Sequence, residues 1–228
     1  HSGATVIGHL AGVDYHRRLL QDRVRTEAFR QAIMAVVGPD DVVLDVGAGT
    51  GVLSLFAAQA GARRVYAVES TAMADLARRI VSDNGASDII TVLQGDAATT
   101  EIPEKATVLI SECMGNFLTS DAMIGTLMAC RKWLAPGARL IPQAVEMFLA
   151  PGSVGPLLSQ LHAWDEPLYG LRFDACRECA ENDVYSAHVP TACLRAPPVC
   201  VARWEPTTPL ASGPWHGQWK FEKTSVID

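Results

Sequence analysis

The chain has 228 residues, 49% of them hydrophobic and 19% charged, and a formal charge of −6. That length buries a real core, and no apolar run approaches the ~18–20 residues of a membrane span. The acidic balance argues against a nucleic-acid partner, which needs a net basic face, and suits a cationic cofactor or acceptor.

The first residues, His1-Ser2-Gly3-Ala4, show no basic segment leading into an apolar stretch, so no signal peptide is expected. Tyr15 to Val37 predicts one amphipathic helix, with Leu19, Leu20, Val24, Ala28, Phe29, Ile33 and Val37 recurring near helical spacing. Gly38-Pro39 ends it. Asp41–Val46 reads as an apolar strand, Val52–Ala60 as a helix closed by Gly61, and Arg64–Val68 as a second strand. Ala72–Ser82 is a helix closed by Asn84-Gly85, and Ile89–Leu93 and Val108–Ser111 are further strands. Asp121–Leu134 predicts a helix stopped by Pro136-Gly137, and Arg139–Leu149 is extended again. Alternation of helices with near-continuous apolar strands predicts an α/β fold with a doubly wound, mostly parallel sheet.

The alternation fades near residue 150. One short helical stretch remains around Val154–Trp164, and Val199–Trp204 and Gln218–Phe221 read as strands between Pro-rich turns. The reading is therefore of three parts: residues 1–40, helical; 41–149, α/β; and 150–228, β-rich. Thr224-Ser225-Val226-Ile227-Asp228 ends inside a strand pattern, so the last part is expected to be incomplete. Of the six cysteines only Cys176 and Cys179 have C-x-x-C spacing, and no second pair closes a four-ligand set. No metal site is expected; six reduced thiols suit a cytoplasmic protein.

The chemistry is written in Val43-Leu44-Asp45-Val46-Gly47-Ala48-Gly49-Thr50-Gly51-Val52-Leu53. A strand delivers a glycine-rich turn that opens a helix, bringing backbone close to a ligand. A pyrophosphate-binding turn would want its third glycine where Val52 stands. Asp45 would also set a carboxylate beside that pyrophosphate; opposite an ammonium it makes sense. Eighteen residues after Gly51, Glu69 ends the second strand, placed to accept both ribose hydroxyls. Asp96, after the third strand, is placed for an adenine amino group. Gly47, Gly49 and Gly51 with these acids resemble class I S-adenosylmethionine-dependent methyltransferases. The resemblance implies S-adenosyl-L-methionine as cofactor and a Rossmann-like domain at 41–149.

Two flanks narrow the resemblance to the protein arginine methyltransferases and their bacterial relatives. His16-Arg17-Arg18-Leu19-Leu20-Gln21-Asp22-Arg23-Val24-Arg25-Thr26 is similar to the family helix H-x-x-M-L-x-D-x-x-R-T. It implies that residues 1–40 form a cofactor lid, with His16 and Arg25 touching the cofactor and Asp22 in the pocket wall. Ser111-Glu112-Cys113-Met114-Gly115 resembles the family's loop S-E-x-M-G, whose second Glu comes nine residues after the first. Here that position is Asp121. Two such carboxylates can hold a guanidinium in a fork and aim one nitrogen at a methyl group; Asp for Glu withdraws one of them by one methylene, roughly 1.5 Å. Three departures stand out: no aromatic motif precedes His16, Thr107 begins a strand where the family often has Asp, and Trp215-His216-Gly217-Gln218-Trp219 does not match the family's threonine-histidine-tryptophan loop.

The missing upstream aromatics and Asp121 favour an acceptor that is a small molecule or modified peptide, methylated on nitrogen or on an electron-rich carbon such as an indole's. The alternatives are a protein arginine N-methyltransferase and a non-catalytic, cofactor-binding regulatory subunit. By resemblance, residues around Val154–Gly170 form an arm within a β-barrel, and the chain pairs as a homodimer.

Overall fold

The computed structural model describes residues 12–113, 121–185, 187–209 and 216–219. The chain divides into two compact units, His1–Val145 with Arg203–Ser212, and Glu146–Ala202 with Gly213–Asp228. The break falls four residues before the change of character read in the sequence, and a short later segment returns to the first unit.

The first unit is built on five parallel strands: β1 (Val42–Val46), β2 (Arg64–Glu69), β3 (Ile90–Gln94), β4 (Ala106–Ser111) and β5 (Leu134–Ile141). Their order is β3-β2-β1-β4-β5. Every residue of β1 is buried, as a strand covered on both faces requires. The chain winds outward from β1 to β3, then crosses back to lay β4 on the other side of β1. That reversal opens a crevice at the carboxyl ends of β1 and β4, where ligands of such sheets bind. Helices α1 (Val13–Gln21), α2 (Arg23–Val36), α3 (Val52–Gln59) and α4 (Met73–Asp83) accompany these strands. Ile33 of α2 is fully buried in a core with Val43, Val65, Val108 and Ile110.

Three expectations are corrected. The continuous helix over Tyr15–Val37 is two helices, because Asp22 leaves helical geometry (φ −71°, ψ 83°) and its carboxylate accepts the Arg25 N–H. An aspartate that can cap a new helix competes with continuing the old one. Asp22 is thus a cap, and its side chain is half exposed. Helix α5 (Asp121–Ala129) passes into a 3₁₀ turn over Cys130–Trp133, and β5 already begins at Leu134. Pro136-Gly137 is no stop signal: it lies in a bulge of β5, where the pairing skips from Ala106↔Leu134 to Val108↔Arg139. β5 ends at Ile141, so the extended run to Leu149 belongs to two strands.

The amino end of the sheet is locked by Asp41. Its carboxylate accepts from the Thr107 hydroxyl (2.7 Å), the Gly38 N–H (2.7 Å) and the Arg139 guanidinium, while Arg139 also donates to the Val36 carbonyl. Thr107 therefore has a partner that an Asp there would repel. Burial alone would raise the Asp41 carboxyl, but these donors together outweigh it and hold it below the ordinary carboxylate range. A depressed acid contributes stability that is present above its unfolded pKa of ~3.9 and lost as pH falls toward the folded value. Asp41→Asn is expected to cost about 1.5–3 kcal/mol, the range for hydrogen bonds to a charged group. Urea denaturation should show that loss at neutral pH and a smaller one below pH ~4.

The second unit holds most of a two-stranded sheet of β6 (Val145–Leu149) and β7 (Val199–Trp204), with helices α6 (Gly155–His162) and α7 (Ala175–Glu181). Arg177 of α7 pairs with Asp165 just past α6 and with Glu181. Helix α7 carries Cys176 and Cys179 and was not expected; its seven residues include no buried one and so no apolar stripe to read. Gln218 and Trp219 lie in no strand, and the rest of that expected strand lies outside the described residues. No helix among the described residues is long and apolar enough to cross a membrane.

Candidate cofactor and active site

The glycine turn joins β1 to α3 at the crevice. The Gly47 and Ala48 N–H groups both donate to the Val68 carbonyl of β2 (2.9 and 3.1 Å), which folds the turn back over the sheet end. Gly49 has φ +55°, and a Cβ there would stand 2.7 Å from Cε1 of His16. Position 49 is therefore glycine for two reasons, its left-handed backbone and the imidazole lying on it.

Glu69, at the carboxyl end of β2, is 6% exposed. Its Oε2 accepts the Gly49 N–H (2.8 Å) and its Oε1 the Thr71 N–H (2.8 Å). This carboxylate thus also fixes the turn, a role the sequence did not show. Each oxygen keeps a second lone pair, enough for one ribose hydroxyl apiece. Glu69→Ala is expected to weaken cofactor binding by about 1.5–3 kcal/mol, read by calorimetric titration; unchanged affinity would remove Glu69 from the site.

Asp45 is 1% exposed. Its Oδ2 accepts from the Ser54 hydroxyl (2.7 Å), and its Oδ1 is buried with no partner among the described residues. Burial pushes its carboxyl up to about 6, against the pull of Ser54. An unfilled, reluctantly ionised acceptor is what a nearby ammonium would satisfy.

The register Val46↔Ser111 brings the residues after β1 and β4 side by side. Glu112 emerges there, and its Oε2 pairs with Nη1 of Arg25 at 2.6 Å. Nη2 of Arg25 donates to the Leu19 carbonyl (2.8 Å), and its Nε is buried without a hydrogen bond, with Asp22 Oδ2 4.0 Å away. The α2 residue and the carboxylate after β4, 87 positions apart, thus form one ion pair. Cys113 follows, and a Cβ on Gly47 would stand 3.3 Å from its own Cβ. Burial pushes the Cys113 thiol up to about 12, so it stays protonated beside the glycine turn and is a poor nucleophile. No residue pattern marked it in advance.

Two sequence candidates have no described side-chain contact with this cluster. Asp96 is exposed, and its Oδ1 accepts the Ala98 N–H (2.8 Å) in the turn after β3. Asp121 opens α5, but its side chain, like the loop 114–120, lies outside the described residues.

A family model described as a methyltransferase domain matches residues 43–137. The chain is 40% identical over 177 residues to protein arginine N-methyltransferase 6 of Xenopus laevis, a match covering 75% of this chain and 52% of that protein. It is 46% identical over 138 residues to protein arginine N-methyltransferase 1 of Oryza sativa subsp. indica, covering 59% and 36%. Among solved structures it is similar to the Trypanosoma brucei PRMT1 enzyme–prozyme heterotetrameric complex with AdoHcy (TM-score 0.81, 30% identity, 87% of this chain and 64% of that one). It is also similar to protein arginine methyltransferase 10 of Arabidopsis thaliana (TM-score 0.74, 29% identity, 90% and 65%). The chain spans about half the length of the first of these curated relatives.

What the crevice and these likenesses define is a class I methyltransferase domain, of the S-adenosylmethionine-dependent kind. Within that class the chain resembles the protein arginine methyltransferases, in sequence and in structure alike.

Proposed function

We propose that this chain carries the cofactor site and the transfer site of an S-adenosylmethionine-dependent methyltransferase whose acceptor is an arginine guanidinium of a peptide or protein. The observation that supports it best is the Arg25–Glu112 pair. Glu112 holds a guanidinium in the crevice through Oε2. The glycine turn, the unfilled Asp45 Oδ1 and the Arg25 Nε, which makes no hydrogen bond, fit the cofactor's adenosyl, ammonium and carboxylate groups. Bound there, the cofactor supplies an electrophilic sulfonium methyl.

The chain's own work is alignment. Glu69 and the glycine turn fix the ribose side, and Arg25 holds the carboxylate end. Glu112 orients an acceptor nitrogen and draws its proton as the N–C bond forms. Asp121 is assigned the second arm of the fork. Since a neutral thioether is a good leaving group from a sulfonium methyl, positioning and exclusion of water supply most of the rate.

A second reading, a neutral nitrogen or indole carbon of a small molecule, rests on Asp121, whose carboxylate is one methylene short. The deciding experiment is mass spectrometry of arginine peptides and of small indoles and amines incubated with enzyme and cofactor. A methyl mass on arginine supports the first reading; transfer to the small acceptors alone overturns it. Cofactor binding without any turnover would leave the regulatory-subunit alternative. The homodimer remains part of the proposal, through the segment Val154–Gly170, as does a cytoplasmic setting, which the six free thiols suit.

A further inference from the structure

Asp96 stands on a tight turn. The Asp96 carbonyl accepts the Thr99 and Thr100 N–H groups (2.9 and 2.8 Å), and the Gly95 N–H donates to the Glu69 carbonyl (3.0 Å). One group of this turn reaches elsewhere. The Ala97 carbonyl, in a residue 6% exposed, accepts from the indole N–H of Trp133 (3.1 Å) and from the thiol of fully buried Cys130 (3.5 Å). Two donors from one 3₁₀ turn, more than thirty residues away, converge on a single oxygen. Packing alone does not ask for this, since a phenylalanine would fill the same space without an N–H. The turn is thus pinned at two points, to the ribose-side strand through Gly95 and to the Cys130–Trp133 turn through Ala97. Asp96 lies between the pins.

We propose that Trp133, assisted by Cys130, is a positioning residue that sets the Asp96 carboxylate against the adenine amino group and so gives the cofactor site its preference for adenine. The inference rests on the cofactor reading above. It assigns Trp133 no contact with the ligand; Trp133 acts through Ala97. Without the indole N–H the turn keeps its Glu69 anchor but can pivot, and Asp96 loses its register on the base edge.

The test compares binding of S-adenosylhomocysteine with that of S-inosylhomocysteine, which lacks the amino group, by calorimetry on the full chain. Wild type is expected to prefer the adenine ligand by ~10-fold, as one good hydrogen bond to a charged group allows. Trp133→Phe is expected to reduce that preference to about twofold or less. Lys132→Ala, which removes the ammonium stacked 4.7 Å above the indole but leaves the N–H, is expected to retain it. Cys130→Ala is expected to fall between, and serves if Trp133→Phe does not fold. An unchanged preference in folded Trp133→Phe overturns the inference, as does a wild type that binds both ligands equally. A wild type that binds neither brings down the cofactor reading itself.

Discussion

Glu112→Gln should lower methyl transfer by about 10²–10³-fold, the loss seen when one preorganised electrostatic contact is removed. Glutamine keeps the shape and still accepts from Arg25, so the fold survives, but the charge that grips and deprotonates the acceptor is gone. The companion substitutions at Asp121 separate the chemistries. If the acceptor is a guanidinium, Asp121→Ala removes most activity, because misplacement by about 1 Å already costs ~10²-fold, and Asp121→Glu restores or improves turnover by recovering the missing reach. If the acceptor is neutral, Asp121 has no cation to hold and Asp121→Ala changes the rate only several-fold. Steady-state kinetics of the three variants, with cofactor affinity measured separately, reads this directly. A mild Asp121→Ala on arginine peptides would sink the guanidinium assignment.

Gly49→Val should abolish cofactor binding. A Cβ at that position would stand 2.7 Å from the His16 ring and on a backbone at φ +55°, a conformation closed to β-branched residues. The N–H of Gly49 also anchors Glu69, so the substitution disturbs the ribose acid as well as the turn. Removing the imidazole relieves only the steric part: His16→Ala with Gly49→Val should remain without measurable binding, because the backbone strain persists. Recovery of near-wild-type affinity in the double variant would show that crowding by His16 is the whole effect.

The sequence made the glycine turn legible because its constraint is local: strand, turn and helix are contiguous, and left-handed backbone demands glycine. Glu69 was legible as an acid at a strand end, but its grip on Gly49 was not, because that bond joins the end of β2 to the turn after β1. The Arg25–Glu112 pair was invisible for the same reason: each residue was picked out by its own motif, and only the fold makes them partners. The helix break at Asp22 was missed because helical periodicity continues smoothly across it, while the side-chain cap that breaks the helix leaves no mark on the apolar pattern. Pro136-Gly137 was taken as a terminator since both residues end helices; that they sit inside a bulged strand depends on the pairing with β4. Trp133 drew no notice, because a half-buried indole after a helix usually signifies packing alone.

The bulge in β5 has a consequence for how such domains meet. Among the described residues β5 is the outermost strand of the sheet on its side, and an outermost strand offers unpaired N–H and C=O groups to any other chain. Here that offer is spoiled. Pro136 has no N–H to give, and Gly137, with φ +77°, turns the backbone out of strand geometry. A second sheet cannot zip in register along this border, so growth of the sheet from molecule to molecule is hindered on the β5 side.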